Sequence, residues 1–467
     1  MTPTPPASEN PWRDRLYGRF RERGTPVLVA GGTAIPAASL WVGTRLWVTA
    51  FRAAGLGPGG RVVLAAPPSP GFVQVLLAGL WAELTLVIAD PRDDADRIAE
   101  ETDAALVVGH GPGQAAPAPV GTPPDGLPTP RPMRHPLAPT ARLLIRTSGT
   151  SGRVKWVGLS DRGILAVLDS HLPRLDLSDR RLLCAIPWHH SFGLVLDLLA
   201  GLMAGAIVVR DESGGRDPDG LLRVARRWEC DWLSAVPLLV RRVCGVPGGE
   251  EFVRGLAGGI VGGAAVDPDT AAVLGGTRLR AGYGQTEASP GVALGEPGEW
   301  SAGYLGRPLG CRVEIRPDGG LWYAGPNVCA GVWGADGFEP SDPGRWVNSG
   351  DAVAQEPDGG LVFRGRTDDR LKLENGRFVH AAEVERTIRQ ACPGMRELLV
   401  TTATGRDLSV WWDGDRPPDL AAAAARLGAL GPRLRVGPEV RPEDWVRSPK
   451  GEVLRRATVE RLKGMTA

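Results

Sequence analysis

Lysine is almost absent from this chain: of 54 Lys plus Arg only four are lysine, at 155, 372, 450 and 463. Where arginine serves so widely, a surviving lysine points to a place that needs a compact ammonium and not a planar fork. Lys155, Lys372 and Lys450 stand in glycine-bearing segments, whereas Lys463 lies close to the C-terminal end. Long blocks of like charge are also missing, and the net charge is +1, so nothing resembles a basic nucleic-acid footprint. The six cysteines, at 184, 230, 244, 311, 329 and 392, form no Cys-x-x-Cys pair. That argues against a zinc site or a disulfide framework and fits a reducing cytoplasm, the expected location. The longest apolar stretch, Leu194 to Val209, is broken by Asp197 and too short to span a bilayer, so no membrane association is expected. Met1 to Trp12 is polar and proline-rich, which reads as a frayed, disordered tail and not as a signal sequence.

What remains is an ordinary globular composition, 43% apolar and 23% charged, in 467 residues. That length exceeds a single core and predicts more than one domain. From Arg61 to Ala89 strand-like and helix-like runs alternate: Val62 to Ala65, then Gly71 to Leu80, then Thr85 to Ile88. The alternation predicts βαβ units and a parallel sheet. A proline- and glycine-rich stretch over 111–139 reads as a surface excursion. The pattern resumes with strands near Leu182–Ile186, Ala206–Val209, Trp232–Val236 and Gly259–Val261, and a helix over Gly193–Ala204. From Val313 to Phe363 short strands are separated by two Pro-Asp-Gly-Gly turns, which suggests an antiparallel, β-rich subdomain. The end reads as a small α+β unit, with a helix near Ala382–Cys392 and strands near Glu397–Val400 and Leu408–Trp411. The expected class is α/β, with a large N-terminal domain over 1–366 of parallel and mixed sheets and a small mobile C-terminal domain over 367–467.

Straight after the apolar run Leu143-Leu144-Ile145, the chain reads Thr147-Ser148-Gly149-Thr150-Ser151-Gly152-Arg153-Val154-Lys155. Glycines permit positive φ, hydroxyls and amides offer donors, and the lysine closes the loop as a point charge. This is equipment for cradling a polyphosphate, although no Gly-Lys-Ser/Thr follows as in a Walker loop. Taken alone, a Ser/Thr/Gly stretch is more often a plain loop.

Several segments then resemble, in order and spacing, the adenylate-forming superfamily of acyl-CoA synthetases, peptide-synthetase adenylation domains and luciferases. Thr147–Lys155 resembles its phosphate loop, with Val154 where proline is usual. Gly282-Tyr283-Gly284-Gln285-Thr286-Glu287 resembles its Tyr-Gly-x-Thr-Glu, Asn348-Ser349-Gly350-Asp351 its Ser/Thr-Gly-Asp, and Gly365-Arg366-Thr367-Asp368 its Gly-Arg-x-Asp. Each is also chemically apt. Tyr283 offers a flat face for adenine, with Gly282 and Gly284 allowing close approach. Thr286 can donate to the α-phosphate, and Glu287 can hold Mg²⁺, a hard cation that prefers carboxylate oxygen. The resemblance implies that Asp351 accepts from the ribose hydroxyls beside Arg366, and that Gly263 and Ala264 form a small-residue pocket wall. Trp188-His189-His190-Ser191-Phe192-Gly193 looks like the family's aromatic-His segment, with His190 as its histidine. Amino-acid-activating members carry an aspartate in this segment and this chain has none, so a free amino acid is not the expected substrate.

The pattern breaks near the C-terminus. The family's lysine lies in Pro-x-x-Gly-Lys; here Glu452 follows Gly451, and Lys450 stands two residues earlier. In an extended loop, residues two apart face one side, so Lys450 could supply the cation. Lys372 to Val379 resembles the loop that serves the second half-reaction in acyl-CoA synthetases, and Asp368 matches the hinge of the small domain. The resemblance implies an ATP- and Mg²⁺-dependent ligase that activates a small aryl or acyl carboxylate as its AMP anhydride. It implies release of pyrophosphate and transfer to CoA or an acyl carrier protein. Two alternatives stay open: a diazotase-like member activating nitrite for attack by an aryl amine, and a catalytically silent homologue.

Overall fold

The computed structural model describes residues 10–17, 20, 24–109, 123, 126–135, 141–148, 154–334, 337–342, 344–447 and 453–465. These gather into two compact units. The first takes the described chain up to Val313 with Tyr323–Val347 and Glu356–Leu361. The second takes Glu314–Trp322, Asn348–Gln355 and the described chain from Val362 onward.

In the first unit the strands are β1 (Pro26–Ala30), β2 (Thr33–Pro36), β3 (Arg61–Ala65), β4 (Thr85–Ile88), β5 (Leu106–Gly109), β6 (Leu143–Ser148), β7 (Val154–Leu159), β8 (Arg181–Cys184), β9 (Ile207–Arg210), β10 (Trp232–Ser234), β11 (Gly259–Gly262), β12 (Leu279–Tyr283), β13 (Ala293–Leu294) and β14 (Tyr304–Pro308). One sheet runs β7-β6-β4-β3-β5, extended past β7 by the hairpin Gly331–Gly334/Gly337–Pro340. Its members β5, β3, β4 and β6 are parallel, as the alternating pattern predicts, and β7 turns back antiparallel to β6. A second sheet runs β10-β8-β9-β1-β2, parallel up to β1. β11 and β12 are a parallel pair, continued antiparallel by β13 and β14.

β3 and β4 are buried at every position, which is why, past Arg61 and Thr85, they read as unbroken apolar runs. The helix Pro70–Trp81 crosses between them. Ser69 caps it by accepting from Phe72 N–H at 3.2 Å, and proline fits its first turn, where no donor is needed. Gly79 is required by packing, because a Cβ there would lie 2.6 Å from the Leu86 side chain. Each of its fully buried Phe72, Leu76 and Leu80 side chains contributes about 1.5–3 kcal/mol of burial.

Two features differ from the sequence reading. The start of the chain is not frayed throughout: Asn10 donates to Leu80 O at 2.9 Å, and buried Trp12 donates from Nε1 to Asp161 Oδ1 at 2.5 Å. Residues 1–9 lie outside the described residues. The helix expected over Gly193–Ala204 begins as a π-helix, Phe192–Leu199, and becomes α only at Ala200–Ala204. Of the 111–139 excursion, 123 and 126–135 are described and contain no helix or strand. Among the described residues no helix is long and apolar enough to cross a membrane.

The second unit holds the hairpin Arg370–Lys372/Phe378–His380, the helix Ala381–Ala391 and a sheet ordered Met395–Thr401, Leu408–Gly414, Leu434–Glu439. Val384, Ile388, Val400 and Val410 form its core. Glu385 is largely buried there, paired with Arg455, and its desolvation pushes the carboxyl upward against the pull of that arginine.

Candidate active site

The phosphate-loop motif spans a hairpin. β6 and β7 pair so that Thr147 lies opposite Lys155 and Ser148 opposite Val154. Gly149, Thr150, Ser151 and Gly152 form the connection and lie outside the described residues. The Thr147 hydroxyl is buried with no partner among the described residues. Such a group costs free energy until an acceptor arrives, so it suits an incoming oxyanion.

β12 delivers the second motif. Its end is close-packed: a Cβ on Gly282 would lie 2.4 Å from Ile260, and one on Gly284 1.4 Å from the carbonyl oxygen of Pro290. Both glycines therefore have packing reasons of their own, whatever room they leave a ligand. Tyr283, half-buried, takes the Val292 N–H on its carbonyl at 3.0 Å. After Gln285 the chain makes a single 3₁₀ turn, Thr286–Ala288, closed by Ser289 at φ 57. This turn sends two side chains in different directions. Glu287 Oε1 meets Lys155 Nζ at 3.1 Å, and Thr286 Oγ1 meets Ser191 Oγ at 3.0 Å. Lys155 and Glu287, 132 positions apart in number, thus form one charged pair, a third or less exposed on the carboxylate side.

The third segment follows β8. Trp188 is fully buried, 5.4 Å from Phe72 and beneath the Arg210 guanidinium at 5.5 Å. The ring of His190 lies 4.5 Å from that of His189, tilted by 56°. His189 Nε2 approaches Asp90 Oδ2, just past β4, at 3.6 Å. Burial lowers the His189 pKa and Asp90 partly opposes it, so the ring favours the neutral form. Burial acts to raise Asp90, but the Arg92 side-chain and backbone bonds outweigh it and bring the carboxyl down to about 2. Ser191 was part of the motif read from the sequence but was not singled out there. Its serine hydroxyl carried no signal beyond its neighbours. Gly263, at φ +81, and Ala264 follow β11, exposed and half-buried respectively.

Within the second unit, Asp351 is almost fully buried and accepts from Arg366 Nη1 at 2.8 Å. Ser349 Oγ takes the Asp351 N–H at 3.0 Å and donates to Leu321 O at 2.8 Å, which fixes the strand that carries the carboxylate. Gly350 sits at φ +74, and a Cβ there would fall 2.4 Å from Arg366 Nη2. Lys372 is exposed, opposite Phe378 across its hairpin. Asp368 lies in the 3₁₀ turn Thr367–Asp369. Lys450 and Glu452 fall outside the described residues, but their stem is described: Arg447 bridges Val453, and Leu454 N–H donates to Val446 O at 2.8 Å. The structure therefore joins Lys155, Thr286, Glu287 and Ser191 in one unit and Asp351 with Arg366 in the other.

The sequence model of the family described as AMP-binding enzyme matches residues 48–333. The phenyloxazoline synthase MbtB of Mycobacterium tuberculosis (strain ATCC 25618 / H37Rv) is 29% identical over 399 residues, which cover 76% of this chain. The chain spans only 27% of that relative's length. A feruloyl-CoA synthase of Amycolatopsis sp is 28% identical over 411 residues, covering 79% of this chain and 81% of that one. In fold, the chain is similar to the o-succinylbenzoate coenzyme A synthetase MenE of Bacillus subtilis solved with ATP and magnesium ion. The TM-score is 0.76 at 18% identity, over 95% of this chain and 98% of that one.

Proposed function

This chain belongs to the AMP-binding enzyme family, and from that premise we propose that it is an AMP-forming ligase that activates a small aryl or acyl carboxylate with ATP. A carboxylate oxygen attacks the α-phosphorus, a new O–P bond forms, and the bond to the pyrophosphate oxygen breaks. Pyrophosphate leaves with the electron pair, and the product is an acyl-AMP mixed anhydride. A thiol of CoA or of a carrier protein then attacks the carbonyl carbon as its thiolate, and AMP departs. The relatives support this order: one is a feruloyl-CoA synthase and another a phenyloxazoline synthase that is far longer than this chain.

The Lys155–Glu287 pair carries the reading. It places an ammonium and a hard carboxylate beside the β6–β7 hairpin, where the buried Thr147 hydroxyl has no partner among the described residues. Glu287 fits Mg²⁺, a cation that takes oxygen ligands and, when bound, neutralises charge on the triphosphate. Lys155 would leave Glu287 for the phosphate oxygens, and Thr286 would donate to the α-phosphate. Such preset donors act where charge develops and cost little reorganisation. Tyr283 would stack on adenine, and Asp351, held by Arg366, would accept from the ribose hydroxyls. His190, just before the helix cap at Ser191, would face the carboxylate, and the small Gly263 and Ala264 would leave room for it. Lys450 would supply the C-terminal cation in place of the residue at 452, and Lys372 would serve the thiol-transfer step. The test is pyrophosphate release with ATP and a panel of aryl and short acyl carboxylates, each with and without CoA. Release that depends on one carboxylate class supports the proposal, and release indifferent to every carboxylate removes it.

A further inference from the structure

Ser191 stands at the cap position just before the helix Phe192–Leu199, where serine commonly bonds the first turn, yet its side chain makes no such bond. It is 6% exposed, and its hydroxyl instead reaches Thr286 Oγ1 at 3.0 Å across 95 positions of sequence. Thr286 has its backbone fixed by the 3₁₀ turn, with its carbonyl taking Ser289 N–H at 3.1 Å. The turn leaves its hydroxyl rotor free, and Ser191 is the group that orients it.

A hydroxyl has one proton and two lone pairs. The single proton of Thr286 cannot go both to Ser191 and to a phosphate oxygen. Once an anion accepts from Thr286, Ser191 must be the donor within the pair. We propose that Ser191 is a positioning residue for adenylation, which donates to Thr286 Oγ1 and so presents the Thr286 proton to the α-phosphate. This rests on the reading of Thr286 given above. The chain Ser191 O–H to Thr286 O–H to phosphate oxygen is polarised in one sense, and hydrogen bonds in series strengthen one another. No bond breaks and no proton leaves either residue. Because Ser191 follows His190 directly, the same contact ties the carboxylate side of the site to its nucleotide side.

The experiment compares Ser191→Ala, Thr286→Val and the double variant by kcat and KM for ATP in pyrophosphate release. ATP affinity without carboxylate and thermal midpoints are measured alongside. Thr286→Val should lose roughly 10²–10³-fold in kcat as a direct donor. Ser191→Ala should lose about tenfold in kcat, because one bond of the series is gone, with KM and affinity within about twofold. The double variant should be no slower than Thr286→Val. Ser191→Cys, near-isosteric and a weak donor, should show the same kcat loss and decides the matter if Ser191→Ala does not fold. A slow Thr286→Val beside a Ser191→Ala at the parent rate, or losses that multiply in the double variant, would overturn this proposal alone. Thr286→Val at the parent rate would overturn the reading of Thr286 and this proposal with it.

Discussion

Replacing Glu287 with glutamine separates what the Lys155–Glu287 pair does for the fold from what it does for the reaction. The two charges are 3.1 Å apart, with side-chain exposures of 39% and 24%. At an effective dielectric near 20 their gross attraction is about 5 kcal/mol. Partial exposure, solvent screening and the entropy of holding two long side chains reduce the net value to roughly 1 kcal/mol. Glutamine keeps the shape and one acceptor for the ammonium, so the thermal midpoint should fall by about 2 °C or less in a chain this long. The reaction should respond far more. Losing a carboxylate that holds a cation on the transferring group is worth about 3–4 kcal/mol, or roughly 10²–10³-fold in rate. Pyrophosphate release and differential scanning fluorimetry on the same preparation would show a large first effect beside a small second one. Full turnover in Glu287→Gln would refute the role given to Glu287. A collapse of the midpoint that accounts for the lost rate would refute the division between fold and chemistry.

Other outcomes follow from particular contacts. Lys450→Ala should lower the adenylation rate by roughly 10²–10³-fold with an unchanged thermal midpoint, since a positioned cation stabilises the transferring group; parent-like turnover would make that lysine dispensable. Asp103→Ala leaves the fully buried Arg61, paired with Asp103 at 2.7 Å, with only the carbonyls of Asp103 and His135 to accept from it and no counter-charge, so chemical denaturation should show a loss of about 3 kcal/mol; a loss below about 1 kcal/mol would mean that water reaches the guanidinium. Burial pushes the Asp197 carboxyl, which lies in the π-helix, up to about 7, against the pull of Ser234 and Arg210. The folded state then keeps a proton that the unfolded state has lost. The stabilising contribution is therefore complete below the unfolded value of 3.8 and is lost as pH rises to about 7, amounting to ~4 kcal/mol. Asp197→Asn should remove this slope from urea-unfolding curves measured between those limits, and parallel curves for parent and variant would contradict it.

The parallel core was legible because β3 and β4 are buried on both faces and so read as continuous Val and Leu. The site motifs were legible because glycines, hydroxyls and a rare lysine occur together. The return strand β7 was not, since Val154-Lys155-Trp156-Val157 reads as the tail of a loop until it is paired with β6. The π-helix was hidden for a related reason. Phe192–Leu199 is apolar on nearly all sides, so no periodicity distinguishes one helical winding from another. Trp12 gave no warning of burial within a polar, proline-rich start, because its partner Asp161 is 149 positions away. Distance in sequence also concealed the contact of Ser191 with Thr286.

Trapping the activated acid tests the central claim most directly. The protein would be incubated with ATP, Mg²⁺ and hydroxylamine, with carboxylates in one arm and with nitrite plus an aryl amine in another. Both pyrophosphate and hydroxamate would be measured. The account predicts equal amounts of the two with an aryl or short acyl carboxylate, and neither with nitrite. Pyrophosphate released with nitrite and amine but with no carboxylate, or ATP bound with no pyrophosphate released in any arm, would contradict it.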